Sequence, residues 1–439
     1  MTIRLGGGQG FYGDGTSPLA DLLNADLDYL VCEALAELTL AILQKDRMRD
    51  ESLGYTRDLP VYLRAALPKL LDGRTKFITN AGGINPIAAG RAAIEALKGA
   101  GATGLTVATI VGDDVRGRAD ELGLPDDALF ANAYLGARPL VDALAQGADV
   151  IITGRVADAS LFAAPLIHEF GWAWDSWDRL AAGVTVGHLL ECSGQVTGGN
   201  YSGAWWDNPD PDRIAFPIAD CEPDGTAVIT KPPGTGGMVT FDTVREQLLY
   251  EVHDPARYLN PDVTADFTAP TLTDLGQDRV RITGCHGTPA PETYKGLVCT
   301  PAGWAGELRV VYTWPDAEAK ARAALGFARR RAEGAGLKVD DWVEEYFGAG
   351  GFGGPTVPHV DEPPEVIGRL AWRCADAETA GAVARAAQLG VLGLSGPPGI
   401  SGIGRAGGGA KPTQLLAVDA IALGRDLVDG QVRIDLETV

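Results

Sequence analysis

The chain has 439 residues, of which 46% are hydrophobic and 22% are charged, and its formal net charge is −21. This length exceeds the usual size of one domain, so we expect at least two. The acidic balance without a basic stripe excludes a nucleic-acid-binding protein. The absence of an apolar run of membrane-spanning length or a signal-peptide core predicts a cytoplasmic protein with no membrane partner.

Short β-rich runs alternate with amphipathic helical stretches over the first 165 residues. Strands are predicted at 3–5, 29–31, 76–79, 105–111 and 150–153. The order strand, polar or glycine-containing loop, helix repeats along this stretch. This order is typical of a mostly parallel sheet covered by helices. The fold class predicted for the N-terminal half is therefore α/β.

The pattern changes near residue 205, where a loop rich in tryptophan, aspartate and proline begins. Beyond it the predicted strands are 215–218, 226–230, 279–283, 308–313 and 366–372, and the predicted helices are 239–252, 316–336 and 377–388. The glycine-rich stretches 348–355 and 395–409 are predicted loops. We predict a parallel α/β domain at 1–210 and an α+β domain with a more antiparallel sheet at 211–439, with the boundary between 205 and 215.

Four polar clusters follow predicted strands, at 6–14, 80–85, 112–114 and 153–158. Ligands of open parallel sheets bind at the carboxyl ends of the strands, so these clusters predict one shared site. Asn85 is also predicted to cap the helix that follows it, with Pro86 in the first turn. The candidate substrate-binding residues are Gly8, Gln9, Tyr12, Asn80, Gly82, Gly83, Asn85, Asp113, Asn132, Arg155, Asp158, Gln195 and Thr197.

The glycines at 6–8, 10 and 13 allow two interpretations. A glycine loop between a strand and a helix can present backbone N–H groups to a phosphate. The spacing differs from the P-loop and dinucleotide patterns, and the P-loop lysine is missing. The alternative is a tight turn with a close backbone approach.

Two further strand-end clusters carry charge. Asp113 and Asp114 could act as a base, accept a hydroxyl hydrogen bond or bind magnesium, and the alternative is a turn or a helix cap. Arg155 could hold a carboxylate or a phosphate, and the alternative is a structural pair with Asp158.

The segment 188–200, His-Leu-Leu-Glu-Cys-Ser-Gly-Gln-Val-Thr-Gly-Gly-Asn, is the richest in chemistry. At helical spacing His188 shares a face with Glu191 and also with Cys192. Neighbouring helical side chains point about 100° apart, so Glu191 and Cys192 are not expected to face one substrate together. Glu191 could be a general acid or base, and Cys192 a nucleophile or proton donor if its pKa were lowered. The alternative is a buried helix with a satisfied histidine and a small core cysteine.

Cysteine and histidine spacing gives no metal site. The six cysteines are scattered without a C-x-x-C pair, which argues against disulfides and structural zinc. The other histidines likewise show no ligand spacing.

Several of these segments together resemble the acyclic terpene utilisation AtuA-type family, formerly a domain of unknown function. The matching segments are 3–14, 79–86, 112–114, 132–137, 147–158, 168–172, 187–200, 234–237, 246–251 and 260–263. The resemblance covers most of the chain and is strongest over about residues 3–300. Many members carry a C-terminal ferredoxin-like domain, which this chain, ending at Val439, is expected to lack.

The resemblance implies a role in bacterial breakdown of acyclic terpenoids such as citronellol and geraniol. Relatives occur beside or fused to biotin-dependent carboxylase subunits for branched unsaturated acyl-CoAs. This implies a branched acyl-CoA or related carboxylic acid as the substrate and association with such a carboxylase. No cofactor is firmly implied beyond a CoA thioester as substrate. We also expect a homo-oligomer.

The leading hypothesis is a lyase or hydratase that works by acid–base chemistry on an unsaturated or hydroxylated acyl substrate. Glu191 and Asp114 would be the acid and base, with His188 beside them, Cys192 a nucleophile or proton donor, and Arg155 the anion anchor. Two alternatives remain open. One is a non-catalytic protein that binds acyl-CoA or a carboxylase subunit, and the other is a magnesium-dependent enzyme that uses Asp113 and Asp114.

Overall fold

The computed structural model of the protein describes residues 1–350, 358–392 and 411–439. The predicted loop at 395–409, and most of the one at 348–355, lie outside the described residues. The chain forms two compact units, the first made of 1–299 with 418–439 and the second of 300–417.

The described helices and strands follow one another along the chain in this order: β1 (Ile3–Gln9), α1 (Ser17–Leu23), β2 (Tyr29–Cys32), α2 (Glu37–Arg49), α3 (Leu59–Leu71), β3 (Lys76–Thr79), α4 (Pro86–Gly99), β4 (Thr106–Val111), α5 (Ala119–Leu122), β5 (Phe130–Ala133), α6 (Arg138–Ala145), β6 (Val150–Thr153), α7 (Asp158–Phe170), α8 (Trp177–Glu191), β7 (Ile218–Cys221), β8 (Ala227–Thr230), α9 (Phe241–Leu249), β9 (Tyr258–Asn260), β10 (Val263–Asp266), β11 (Thr271–Asp274), β12 (Val280–Thr283), β13 (His286–Thr288), β14 (Thr293–Thr313), α10 (Ala317–Gly334), β15 (Asp341–Phe347), β16 (Glu365–Cys374), α11 (Ala377–Leu392), β17 (Thr413–Gly424), α12 (Arg425–Asp429) and β18 (Arg433–Thr438).

The first unit contains a large mixed sheet with the strand order β11-β12-β8-β7-β1-β2-β3-β6-β4-β18. Its centre, from β1 to β4, is parallel, because β1, β2, β3, β6 and β4 pair in parallel along this order. The predicted helix-covered parallel sheet is therefore confirmed. Strand β18 closes one side by antiparallel pairing with β4.

The division into compact units does not coincide with the predicted boundary between 205 and 215. Strand β7 pairs antiparallel with β1, and β8, β12 and β11 extend the same sheet. Without β7, the backbone groups along one side of β1 would be an unpaired sheet edge. The change of sequence pattern near 205 marks a change from parallel to antiparallel pairing within one sheet.

The second unit is α+β with an antiparallel sheet, as predicted. Residues 304–313 of β14 pair with β16, and β16 pairs with β15. Helices α10 and α11 contribute Leu325 and Val383 to a core shared with strand residues such as Leu370.

The N-terminal glycines belong to a strand, which corrects the prediction of a loop beginning at Gly6. Strand β1 continues to Gln9, and its glycines are buried. A methyl group on Gly7 would lie 2.7 Å from the Leu190 carbonyl oxygen, and one on Gly8 would lie 2.6 Å from Leu30 Cδ1. The glycines therefore permit close packing of β1 against α8 and β2.

Helix α8 is buried over residues 180–191 and packs along α7. Gly183 and Gly187, one helical turn apart, face α7. A methyl group on Gly183 would lie 3.3 Å from Ala163 Cβ, and one on Gly187 would overlap the Ala159 backbone. These glycines let the two helices approach closely, so that the end of α8 reaches the carboxyl end of β1.

Within the described ranges, no helix combines the length and apolar character needed to cross a membrane.

Candidate functional site

A cavity of about 670 Å³ lies where residues following β1, β2 and β6 meet the end of α8. Gly10 follows β1, Glu33 follows β2, and Asp158 begins α7 after β6. His188, Glu191 and Cys192 form another part of the wall. All described lining residues belong to the first unit. This is the sheet edge at which parallel α/β folds bind ligands.

A buried histidine–carboxylate pair lies in this wall. His188 Nδ1 is 2.9 Å from Glu191 Oε1, as the spacing of three residues predicts, and only 2% of His188 and 7% of Glu191 is exposed. Neither His188 Nε2 nor Glu191 Oε2 has a hydrogen-bond partner. Leaving a buried polar atom unpaired costs free energy, so we expect a ligand or a water molecule to form hydrogen bonds with these two atoms.

The surroundings hold the His188 ring in place. The imidazole stacks on Phe267, with ring centroids 5.1 Å apart, and packs at 5.3 Å against Tyr258. Gln247 Nε2 donates to the His188 carbonyl oxygen at 2.9 Å. Contacts from α9, from β9 and from the residue that follows β10 therefore hold the last turn of α8 in place.

Glu33 is a second buried carboxyl group in the cavity wall, and the sequence analysis missed it. Its Oε1 accepts hydrogen bonds from Asn80 Nδ2 at 2.8 Å and from the Leu35 N–H at 2.6 Å. Burial raises the pKa of Glu33 well above its usual range, and the charge of Glu191 adds to this, although Arg155 opposes it. Its position directly after the buried strand β2 was the signal that could have found it.

Asn80 does not line the cavity but positions Glu33. While its Nδ2 donates to Glu33, its Oδ1 accepts from the Ala34 N–H at 2.8 Å. The side chain is fully buried. Asn80 therefore fixes the loop that carries Glu33.

Cys192 lines the same cavity as Glu191, contrary to the expectation that adjacent side chains would diverge. Helix α8 ends at Glu191, and Cys192 turns away from helical geometry with φ −85° and ψ 19°. Burial, and then the charges of Glu191 and Glu33, raise the pKa of the Cys192 thiol. A thiol held protonated is a poor nucleophile, and its raised pKa also makes it a weak proton donor near neutral pH.

Arg155 is fully buried behind the cavity and does not line it. Its guanidinium donates to the Leu35 carbonyl oxygen at 2.6 Å and to the Val156 carbonyl oxygen at 2.7 Å, forms an ion pair with Asp158, and lies 4.3 Å from the centre of the Tyr134 ring. The structural pair with Asp158 is therefore present. Asp158 itself lines the cavity.

The neighbouring aspartates are engaged elsewhere. Asp113 is buried and accepts from the Arg155 N–H at 2.7 Å and from Asn132 Nδ2 at 2.8 Å, and burial raises its pKa to about 6. Asp114 forms an ion pair with Arg116 at 2.6 Å, with 41% of its side chain exposed. Neither lines the cavity, and no group of three or more His, Cys, Asp or Glu residues in the described ranges is placed to hold a metal ion.

The predicted binding residues near the N-terminal glycines contact other residues of the protein instead of lining the cavity. Gly8 is packed inside β1, Gln9 Nε2 donates to Asp58 at 2.9 Å, and the Tyr12 hydroxyl accepts from the Arg57 N–H at 3.4 Å. The Gly10 N–H donates to the Asp14 carboxylate at 2.9 Å. Gly10 and Phe11 reach the cavity, whereas Gly8, Gln9 and Tyr12 do not.

The other predicted binding residues also lie outside the wall. Asn85 caps α4 by accepting from the Ala88 N–H, which confirms its predicted cap, and a methyl group on Gly82 would overlap the Thr153 carbonyl oxygen. Gly83, beside Gly82, has a φ of +55° that favours glycine. Gln195 donates to Gln247 at 2.9 Å, and the Thr197 hydroxyl donates to the Gly194 carbonyl oxygen at 2.9 Å.

The cavity wall is acidic. Among the described residues, its lysine and carboxyl side chains are one lysine and five carboxyl groups: Lys295, Glu33, Glu37, Asp158, Glu191 and Glu251. Lys295 donates to Glu37 at 3.0 Å, as does the Tyr134 hydroxyl. Although burial opposes it, a backbone hydrogen bond and Lys295 lower the pKa of Glu37 to about 2. The lysine charge is therefore already neutralised by Glu37.

Tyr250, Glu251, Tyr258 and Lys295 were also missed by sequence analysis. They come from the segment after residue 210, where Tyr250 and Glu251 follow α9, Tyr258 begins β9 and Lys295 lies near the start of β14. Nothing in their local pattern shows which side chains turn toward α8.

Comparison with known protein families agrees with the resemblance seen in the motifs. A family model described as acyclic terpene utilisation family protein AtuA matches residues 3–434. No curated protein and no solved structure matches the chain. Because the family model spans nearly the whole sequence, the chain belongs to the AtuA family of acyclic terpene utilisation proteins.

Proposed function

We propose that the protein is an enzyme of acyclic terpene utilisation, of the lyase or hydratase type, that works by acid–base chemistry on a branched or unsaturated acyl substrate. Family membership supports the pathway. The observation that carries the chemistry is the buried His188–Glu191 pair, whose Nε2 and Oε2 atoms lack partners at the wall of a 670 Å³ cavity.

The proposed base is His188. When Nδ1–H donates to Glu191, the neutral ring carries its lone pair on Nε2, where it can accept a proton. Glu191 then stabilises the imidazolium that forms, as a carboxylate does for other catalytic histidines. Asp114, the base favoured by sequence analysis, pairs with Arg116 away from this cavity.

The proposed acid is Glu33. A carboxyl group kept protonated by burial can donate a proton near neutral pH. In hydration, His188 would take a proton from water as the oxygen bonds to the β-carbon, and Glu33 would give a proton to the α-carbon. The raised pKa of the Cys192 thiol makes it the weaker candidate donor near neutral pH.

The acidic wall restricts the part of the substrate that enters. Carboxylates facing a carboxylate or phosphate would repel it, and Lys295 is already paired. We propose that the uncharged, branched portion occupies this cavity and that any anionic end of the acyl substrate lies outside it.

The test uses the full chain with branched α,β-unsaturated and 3-hydroxy acyl thioesters and the corresponding free acids, in D₂O, with mass spectrometry of products. We expect gain of water or carbon–carbon cleavage with deuterium at the α-carbon, or loss of water from the 3-hydroxy substrates. His188→Gln and Glu191→Gln should each lower turnover about 100-fold or more, since positioned acid–base groups contribute about 10²–10⁴.

The matched controls are His253→Gln and Glu292→Gln, because both residues are exposed. Each should retain wild-type turnover. Equal activity in the site and control variants would exclude this site. Saturable binding of the panel without turnover by the wild type would instead identify a binding protein.

A further inference from the structure

A second cavity, of about 650 Å³, adjoins the first and differs from it in charge. Pro261 and Tyr294 line both. The lining of the second cavity includes Arg138, Arg425 and Arg433. Three aspartates line the same cavity, so its wall is formally neutral, whereas the wall of the first cavity is acidic.

Two of the arginines have donors available. The Arg138 guanidinium lies 4.1 Å from the centre of the Trp174 ring. Among the described residues, the guanidinium groups of Arg138 and Arg433 have no hydrogen-bond or ion-pair partner, although the Arg433 backbone pairs with Val111. Stacking on an aromatic ring orders a guanidinium and leaves the N–H groups at its edge free for an anion.

The third arginine is fixed as part of the scaffold. Arg425 donates to the carbonyl oxygens of Pro291 at 2.8 Å and Pro261 at 2.6 Å, and it stacks on Tyr294 at 4.5 Å. Its charge is therefore held at the wall by neutral partners.

Three carboxyl groups also line this cavity, and two of them are engaged. Asp262 accepts from the Ala137 N–H at 2.9 Å and from the Ser160 hydroxyl at 2.7 Å, and Asp429 accepts from the Tyr294 hydroxyl at 2.6 Å. Asp142 is the third. Neither Asp262 nor Asp429 lies within ion-pair distance of Arg138 or Arg433, although the charges of Arg425 and Arg138 act on Asp262 from further away.

Aromatic and aliphatic side chains make up most of the rest of the wall. Trp174 and Trp177 contribute aromatic surface, and Val432 and Ile434 contribute aliphatic surface. Such a wall favours a planar or apolar body, while the arginines favour an attached anion.

We infer that this second cavity is a binding site for an anionic group, a carboxylate or a phosphate, carried on a flat or apolar body. The anion pairs with Arg138 and Arg433, and the body stacks beside Trp174. The inference is independent of the proposed acid–base chemistry, because it uses none of the residues of the histidine–carboxylate pair.

The test titrates the full chain with the fluorescent aromatic anion 8-anilino-1-naphthalenesulfonate and with the neutral analogue N-phenyl-1-naphthylamine. We expect saturable binding of the anion and at least tenfold weaker binding of the neutral probe. Arg138→Gln should weaken anion binding about tenfold, as expected for a charge-assisted hydrogen bond. Glu191→Gln should leave it unchanged.

The matched control is Arg64→Gln, which removes the same charge from an exposed position on α3. It should change anion binding less than twofold. Competition by 1-naphthyl phosphate and by 2-naphthoate then identifies the preferred anion from the stronger competitor. Binding that does not saturate, an equal effect of the two arginine variants, or failure of both competitors would overturn the inference.

Discussion

At the scale of single residues, two glutamates four positions apart are shifted in opposite directions by their surroundings. Burial raises the pKa of Glu33, whereas a backbone hydrogen bond and Lys295 lower that of Glu37 to about 2 despite burial. Both residues are glutamates, so residue type does not explain the difference between their pKa values. Each has a cation nearby, Arg155 for Glu33 and Lys295 for Glu37, but burial outweighs the compensating groups only at Glu33. The balance at Glu37 depends on where the fold places Lys295 of strand β14.

The raised pKa of Glu33 predicts a stability that falls with pH. Below the unfolded value of about 4.3 both states hold the proton, and stability is lost as the pH rises through the interval up to the raised folded value. Glu33→Gln should remove this loss, because an amide oxygen can still accept from Asn80 and Leu35. We expect the variant to gain on the order of 2 kcal/mol relative to wild type at about pH 9 and little at about pH 4, measured by denaturant unfolding.

Glu37→Gln provides the matched comparison, with the opposite sign. A lowered folded pKa contributes stability above the unfolded value that is lost as the pH falls toward about 2. This variant should therefore be less stable than wild type at neutral pH. If Glu33→Gln showed the same sign and the same pH dependence, burial would not control Glu33.

At the scale of elements, helix α8 determines where the chemistry lies. Its two glycines allow α7 to pack closely, and its carboxyl-terminal turn carries His188 and Glu191 to the end of β1. The helix is buried along most of its length, so displacement of its axis would be transmitted to the cavity.

Gly187→Ala should therefore destabilise the protein although alanine is the better helix former. The new methyl group would overlap the Ala159 backbone, and overpacking of this kind costs about 1–3 kcal/mol or more, which exceeds the gain of about 1 kcal/mol in helix propensity. We expect a lower midpoint of thermal unfolding together with reduced turnover.

Gly99→Ala is the control at a helix end. No atom lies within 4 Å of the added methyl group. It should leave stability within about 1 kcal/mol of wild type. Equal effects of the two glycine substitutions would show that close packing of α7 and α8 is not required.

At the scale of the whole molecule, the chain enters and leaves the second unit once, at 299/300 and at 417/418. Each unit has its own core, and all described residues of the first cavity belong to the first unit. Compact units with separate cores are expected to open as separate cooperative regions.

Leu325→Ala tests this separation. Leu325 is fully buried in the core of the second unit, so its truncation should cost about 2–5 kcal/mol there. Hydrogen exchange should increase within 300–417 while turnover in the first cavity stays close to wild type. Leu189→Ala, in the core of the first unit, should increase exchange there and lower turnover. An increase in exchange spread evenly over both units in both variants would contradict separate cores.

The sequence by itself determined the elements whose signals are local. Alternating apolar runs and loops predicted the parallel strands, and Asn85 before Pro86 predicted a helix cap. The spacing of His188 and Glu191 placed them on one helix face, while the choice of Glu191 over Cys192 as the partner of His188 came from the structure. These depend on backbone periodicity and on side chains within one helical turn. The ordered motifs likewise sufficed for the family.

Only the tertiary structure decided which polar groups share the cavity. Asp114 and Arg155 follow strands just as Glu33 does, yet one pairs with Arg116 and the other is enclosed by carbonyl oxygens. Contacts between residues far apart in the chain also explain three other features. They require the glycines of β1, they join β7 to β1, and they place Lys295 beside Glu37. Because burial and partners set the charge state of a carboxyl group, its chemistry was fixed when these distant segments came together.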